Sequence, residues 1–210
     1  MDICAWNVPK PRSIECQALK PRRIGDKIDM KGLRKSTQIA NKINIIRQLE
    51  KVHDKFTNKD FIKTLKGTDF FTAPCSKAHH LSTEGGLAQH SWNVYRLLKE
   101  KNERYDLGLS EESVIICGLL HDICKVHFYK PDGDGYAYND QMPLGHGEKS
   151  VIILAANMEL TQQECCMIRW HMGNWDLSSY GRPAYNAAMK MYPNCAALQT
   201  ADYEASVFLE

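Results

Sequence analysis

Beyond residue 38 the apolar residues of this chain recur at intervals of three and four, and strict alternation occurs in one stretch only, VHFYKPDGDGYAYND. A chain patterned this way buries its apolar side chains by stacking helices, which predicts an all-α helical bundle with one small β-hairpin. Ile43, Ile46, Leu49, Val52 and Phe56 make the stripe of a first helix over 39–56. A short second helix is expected from Thr57, whose hydroxyl forms a capping-box pattern with Asp60, to Gly67. Residues 68–82 have no period and read as a loop. Leu87, His90, Ser91, Val94, Leu97 and Leu98 share one face of a long helix over 84–102, so His90 points with the core residues. Ser110 caps the next helix, which carries Val114, Cys117, Gly118 and His121 on one face and Ile115, Leu119 and Asp122 on the adjoining one. After the hairpin, helices are expected over 147–158, over 162–172 behind a Thr161/Glu164 capping box, over 183–192, and from Asn194 onward.

A chain of 210 residues buries about 70% of its unfolded surface in one core, so one domain with an extension is the expected organisation. No run approaches the roughly 20 apolar residues of a membrane helix, and MDICAWNVPKPRS lacks the apolar stretch of a secretory signal. The expectation is a soluble cytoplasmic protein with no membrane partner. Eight cysteines are scattered without a CxxC, and Cys117, Cys124, Cys165 and Cys166 lie in apolar helical patterns. Buried reduced thiols are expected rather than disulfides, and a structural zinc site is disfavoured. The net charge of +2 divides unevenly, because residues 1–40 hold nine Lys/Arg against four Asp/Glu. Residues 1–38, with Pro9, Pro11 and Pro21, therefore read as an irregular basic arm, and 39–210 as the folded domain. The arm's charges are diluted by acids and its aromatics are limited to Trp6, which favours a packed or solvated extension over a nucleic-acid contact.

Two phosphate- and calcium-like patterns fail on spacing. Counting an EF-hand from Asp132 puts Tyr136, Ala137 and Pro143 where an acid, a glycine and a glutamate are needed. In GHGEKS, Glu148 separates the glycine from the lysine of a phosphate loop. The histidines carry more information, since seven of the eight lie between residues 79 and 171. In GLLHDICK at 118–125, His121 and Asp122 project about 100° apart at a helix end and can reach one ion. Alone, a His-Asp dipeptide is a weak signal, and a core-facing histidine is commonly a satisfied buried side chain.

His90, His121-Asp122, His146, His171 and Asp202, each on a helix or at a helix end, form a series that resembles the HD superfamily of metal-dependent phosphohydrolases. The resemblance spans residues 45–206 and is closest to the HD domain of YhaM-type three-prime to five-prime exoribonucleases. It rests on HHLSTEGGLAQHSWNVY at 79–95, GLLHDICKVHFY at 118–129, LGHGEKS at 144–150, IRWHMG at 168–173 and TADYEAS at 200–206. It implies that His90, His121, Asp122 and Asp202 ligate a shared metal, and that His146 and His171 add a second with Asp122 bridging. It also places Lys125, the lysine of HD-x-x-K, against a substrate phosphate. Two departures stand out: Met172 replaces the second histidine of a pair, and the exoribonucleases' OB-type RNA-binding domain is absent from this sequence.

Imidazole and carboxylate ligands without thiolate suit one or two divalent ions, Mn, Fe, Zn, Co, Ni or Mg, with open positions for water. Such an ion can lower the pKa of its water from about 15.7 towards 7. The expected function is a metal-dependent phosphohydrolase acting on a nucleotide or short single-stranded oligonucleotide, with Asp122, Lys125 and His80 catalytic and His79, Lys125 and Arg169 contacting substrate. His80 would protonate the leaving oxygen. A nucleoside mono- or triphosphate hydrolase is one alternative, and a non-catalytic HD-fold binding or regulatory protein another. Self-association into a homo-oligomer stays open. Gly85 and Gly86 are expected to let the first ligand helix start tightly, Trp175 and Asp176 to flank the pocket or, for Trp175, join the core, and His53 and His127 to be structural.

Overall fold

A computed structural model describes residues 32–176 and 178–210; most of the basic arm thus lies outside the described residues. The described chain is helical, with eight α-helices and one antiparallel hairpin, as the patterning predicts. α1 (Lys35–Lys51) begins within the segment read as arm and stops before the expected end, where a 3₁₀ turn at His53–Lys55 redirects the chain. Its buried stripe is Asn41, Ile45 and Leu49, while Ile43 is 45% exposed. Leu49, Val52 and Phe56 of the expected stripe are buried and Ile46 packs against the core, so only Ile43 faces out; a polar residue joins the stripe, the Asn41 amide donating to Gln89 at 2.9 Å.

α2 (Phe61–Gly67) ends as expected, but the Thr57/Asp60 box does not form. Asp60 caps without a side-chain bond, and Asn58 Oδ1 accepts its amide instead. α3 (Gly86–Tyr105) buries Leu87, His90, Ser91, Val94 and Leu98 on one face. α4 (Glu111–Leu120) is capped by Ser110, whose hydroxyl accepts from the Ser113 amide, and every residue from Ser113 to Leu120 is buried. The two helices touch closely at Gly118, where a Cβ would lie 2.6 Å from Tyr95 Cα.

β1 (Tyr129–Asp132) pairs with β2 (Gly135–Tyr138) in the register Tyr129↔Tyr138 to Asp132↔Gly135. α5 (His146–Ala155), α6 (Gln162–Arg169), α7 (Arg182–Met191) and α8 (Asn194–Glu204) follow, and a π-type turn at Ala205–Leu209 leads to Glu210. The Thr161/Glu164 box makes both of its hydrogen bonds. Glu164 is completely buried and also accepts from the Ser113 hydroxyl at 2.8 Å, tying α6 to α4.

The core joins α1, α3, α4, α5, α6 and α8 through Ile45, Leu49, Leu98, Ile115, Leu154, Met167 and Leu198. Among the described residues Cys75, Cys117, Cys124, Cys165, Cys166 and Cys195 are free thiols. Cys165 and Cys166 are only half-buried, and Cys166 packs against the edge of the core. Trp175 is 82% exposed and so is not a core aromatic. No helix of the described residues is long and apolar enough to cross a membrane.

Candidate metal centre

Four segments converge at one end of α3 and α4. α3 contributes His90, the turn after α4 contributes His121 and Asp122, the turn after α6 contributes His171, and α8 contributes Asp202. The convergence depends on glycines that admit close backbones. At Gly86 a Cβ would sit 2.1 Å from the Leu81 carbonyl oxygen, and Gly85 holds φ at +79°, so the expected tight start of α3 is present. Gly147, next to His146, would place a Cβ 2.0 Å from the Arg169 carbonyl oxygen at the end of α6.

The three central imidazoles are held so that Nε2 faces inward. His121 Nδ1 donates to the Gly118 carbonyl at 3.1 Å, and His171 Nδ1 donates to the Ile168 carbonyl at 2.7 Å. His90 Nδ1 donates to the Glu210 carboxylate, with oxygens at 3.0 and 3.1 Å. Outer hydrogen bonds of this kind fix the tautomer that leaves the other nitrogen free for a metal. His90 Nε2 then lies 3.0 Å from Asp202 Oδ1, 3.6 Å from Asp122 Oδ2 and 3.3 Å from His121 Nε2. Two imidazole lone pairs at that separation repel unless a proton or a cation lies between them. Asp122 Oδ1 and His171 Nε2, 3.4 Å apart and buried, have no hydrogen-bond partner among the described residues. These orphaned atoms fit a divalent cation better than they fit an apolar core.

The electrostatics agree. Burial would raise the Asp122 carboxyl, but Lys125, His121 and His171 hold it well below the usual carboxylate range. Burial likewise opposes ionisation of Asp202, yet His90, His121 and His171 bring it down to about 2. His121 is pushed down to about 4, chiefly by burial, and stays neutral. Burial would lower His90 as well, but the Cys75, Glu210 and Asp202 charges raise it well above the ordinary histidine value. His171 is also raised, since Asp122 and Asp202 outweigh its burial. Perturbed groups gathered in this way mark functional sites.

His146, the sixth expected ligand, joins through Asp122: one atom each of Asp122, Cys124 and His146 lie within 4.8 Å of one another. His171 groups equally with His121 and Asp202. Lys125 Nζ is 2.6 Å from Asp122 Oδ2 and 3.6 Å from Cys75 Sγ. His80 stands at the rim, half-buried, with Nε2 3.5 Å from Cys75 Sγ. His79 is exposed and makes no contact with the cluster among the described bonds, its amide donating to Ser76 Oγ at 2.9 Å. Arg169 pairs with Glu148 and stacks on Trp170. His53 and His127 lie outside the cluster, both exposed.

Sequence reasoning missed three members. Cys75 sits in an aperiodic loop, and Glu210 reaches His90 across 120 residues, so neither leaves a local signal. Cys124 stands inside HDICK and packs on His146 with Sγ 3.3 Å from Nδ1, where burial pushes its thiol up to about 12. Two thiols thus border the expected imidazole and carboxylate ligands. Burial opposes ionisation of Cys75 too, but His90, Lys125 and His80 bring that thiol down to about 7.

Fold and site together define a helical protein with a buried histidine–aspartate centre suited to divalent metal. The family model of the HD domain matches residues 87–206, more than half of the chain, and the chain belongs to the HD domain family. HD domains are generally metal-dependent hydrolases. No curated protein and no solved structure matches the chain.

A pH dependence follows from the raised imidazoles. A cation that takes Nε2 of His90 and His171 displaces protons those rings hold above the ordinary histidine range. Apparent affinity should climb about tenfold per pH unit for each proton displaced, through that range, and level off above the raised folded values. Zinc titration calorimetry in two buffers of different ionisation enthalpy should show at least one proton released per cation at neutral pH. Zero release would contradict the assignment.

Proposed function

We propose that this HD domain is a phosphohydrolase that cleaves a phosphoester of a nucleotide or short oligonucleotide, in the manner of a phosphodiesterase. The observation that carries the reading is the inward convergence of three Nε2 atoms and two carboxylates with the Lys125 ammonium beside them. When bound, the ion would supply a Lewis acid and a water ionised near neutral pH. His90, His121, Asp122 and Asp202 would hold it, and His146 and His171 would hold a second with Asp122 shared.

The remaining groups handle charge and protons. Lys125 is kept protonated by Asp122 and Cys75, which outweigh its burial, so it can face charge that develops on phosphate. His80 has its ordinary value raised by Cys75 despite burial, and it holds a proton for the leaving oxygen. His79, farther out on the same loop, would meet the distal part of a longer substrate. Arg169 would contact phosphate only by exchanging the Glu148 carboxylate. Support for kinship with YhaM-type exoribonucleases comes from the five sequence blocks. Free thiols suit the cytoplasm, a compartment that keeps them reduced.

A second reading, a nucleoside mono- or triphosphate hydrolase, is favoured by how closed the cluster is, with His90, His121 and His171 at most 1% exposed. Activity on nucleotides but not on diesters would select it. A non-catalytic binding protein fits less well, because the ligand set and its lysine are complete. Replacing the lysine separates catalysis from metal binding. Lys125→Ala should lower kcat by roughly 10²-fold while bound metal falls less than twofold. Equal loss of both would make Lys125 a structural partner of Asp122.

A further inference from the structure

Cys124 stands in the 3₁₀ turn Ile123–Lys125, directly after Asp122, and is buried. Its Sγ lies 3.3 Å from Nδ1 of His146 at the start of α5. The sulfur, a ring nitrogen of His146 and a carboxylate oxygen of Asp122 all lie within 4.8 Å of one another. Ser150, completely buried one helical turn beyond His146, holds the cysteine in place. Its hydroxyl accepts from the Cys124 amide at 3.4 Å and hydrogen-bonds the thiol. Asp122 reaches a further donor as well: Oδ1 is 3.4 Å from His171 Nε2, and neither atom has a hydrogen-bond partner among the described residues.

We propose that Cys124 is a metal ligand, joining Asp122, His146 and His171 around the second cation of the HD centre. The thiolate makes that position selective for a thiophilic dication such as zinc or cobalt(II). A thiol–imidazole hydrogen bond would account for the contact of Cys124 with His146 alone. It leaves Asp122 Oδ1 and His171 Nε2 unpartnered, whereas a dication among the four groups satisfies all of them. Spacing agrees. Donors at zinc's usual bond lengths of about 2.0–2.3 Å stand roughly 3.3–3.8 Å apart at the corners of a tetrahedron. The sulfur–nitrogen separation of 3.3 Å and the oxygen–nitrogen separation of 3.4 Å match that. Charge agrees too, because a thiolate and a carboxylate neutralise a dication. The thiol's proton passes to solvent as the sulfur binds.

Magnesium and manganese prefer oxygen ligands and avoid sulfur, so they fill the position held by His90, His121, Asp122 and Asp202 and leave the second one. The proposal rests on the two-cation ligand set given above; it does not depend on which phosphoester is cleaved.

Cobalt(II) titration of the metal-stripped full chain reads the sulfur ligand without reference to activity. A sulfur-to-cobalt charge-transfer absorption should develop in the wild type, persist in Cys75→Ser and survive excess magnesium or manganese. It should vanish in Cys124→Ser, which should still bind one cobalt ion and so be shown to be folded. His146→Ala should need at least about tenfold more cobalt to reach the same absorption, the scale on which losing even an indirect partner of a metal acts. Cobalt bound to the wild type without the band would overturn the proposal. So would a band lost in Cys75→Ser but intact in Cys124→Ser, which would place the sulfur ligand beside His90. Failure of the phosphohydrolase reading registers separately, as an absence of turnover in wild-type protein that shows the band.

Discussion

Asp122→Ala should abolish metal-dependent phosphoester cleavage, lowering kcat by roughly three orders of magnitude or more. Asp122 is where the site's contacts meet: its oxygens lie 2.6 Å from Lys125, 3.4 Å from His171 and 3.6 Å from both His90 and His121. Removing it takes a shared ligand from any ion held there and strands a buried ammonium. Losing one partner of a buried pair costs about 3–5 kcal/mol, so the variant should also melt earlier. Asp122→Asn keeps the shape and separates the two effects. It should melt closer to the wild type yet remain inactive, because a neutral amide neither bridges cations nor balances Lys125. Circular dichroism melts and assays on the same preparations check both parts, and an active Asp122→Asn would remove the residue from the mechanism.

Gly147→Ala should destabilise the fold by about 2–3 kcal/mol, a drop of roughly 5–10 °C in Tm. The new methyl would meet the Arg169 backbone, with the carbonyl oxygen at 2.0 Å and its carbon at 2.6 Å, and no flexible side chain can yield there. Relief requires α5 to back away from α6, which separates His146 at the start of α5 from His171 just past α6. Metal affinity should therefore fall along with Tm. Gly67→Ala is the control: nothing lies within 4 Å of that Cβ, and the change should be neutral to slightly stabilising. Equal melting of the two variants would show that the α5–α6 contact gives way freely.

How much of this was legible in the sequence depended on whether the signal was local. Helix caps are local, and Ser110 and the Thr161/Glu164 pair form as their spacing predicts. His90 was legible because it shares a helical face with Leu87, Val94 and Leu98. The hairpin was legible from alternation broken by glycines. The α1 stripe was legible at Leu49, Val52 and Phe56, but Asn41, buried with a hydrogen bond to a side chain 48 residues away, was not, since apolar periodicity cannot register it. At Thr57 a capping pattern was present, but the 3₁₀ turn before it and the Asn58 carboxamide set the chain differently. The expected ligands could be grouped only through resemblance, since nothing in spacing alone shows α8 returning to α3. Cys75 and Glu210 had neither a period nor a motif, and their contacts with His80 and His90 exist only once the helices pack.

The central claim is that the His90, His121, Asp122 and Asp202 cluster binds metal in order to hydrolyse a phosphoester. The most direct test strips the purified protein with chelator and restores single metals. Bound ions are counted by elemental analysis, and nitrophenol release from a bis-nitrophenyl phosphodiester and phosphate release from nucleotides are followed on the same sample. The account predicts at least one ion bound per chain, activity that disappears on stripping, and activity that returns in proportion to the ion restored. Stoichiometric binding with no turnover of either substrate class under any metal would contradict it.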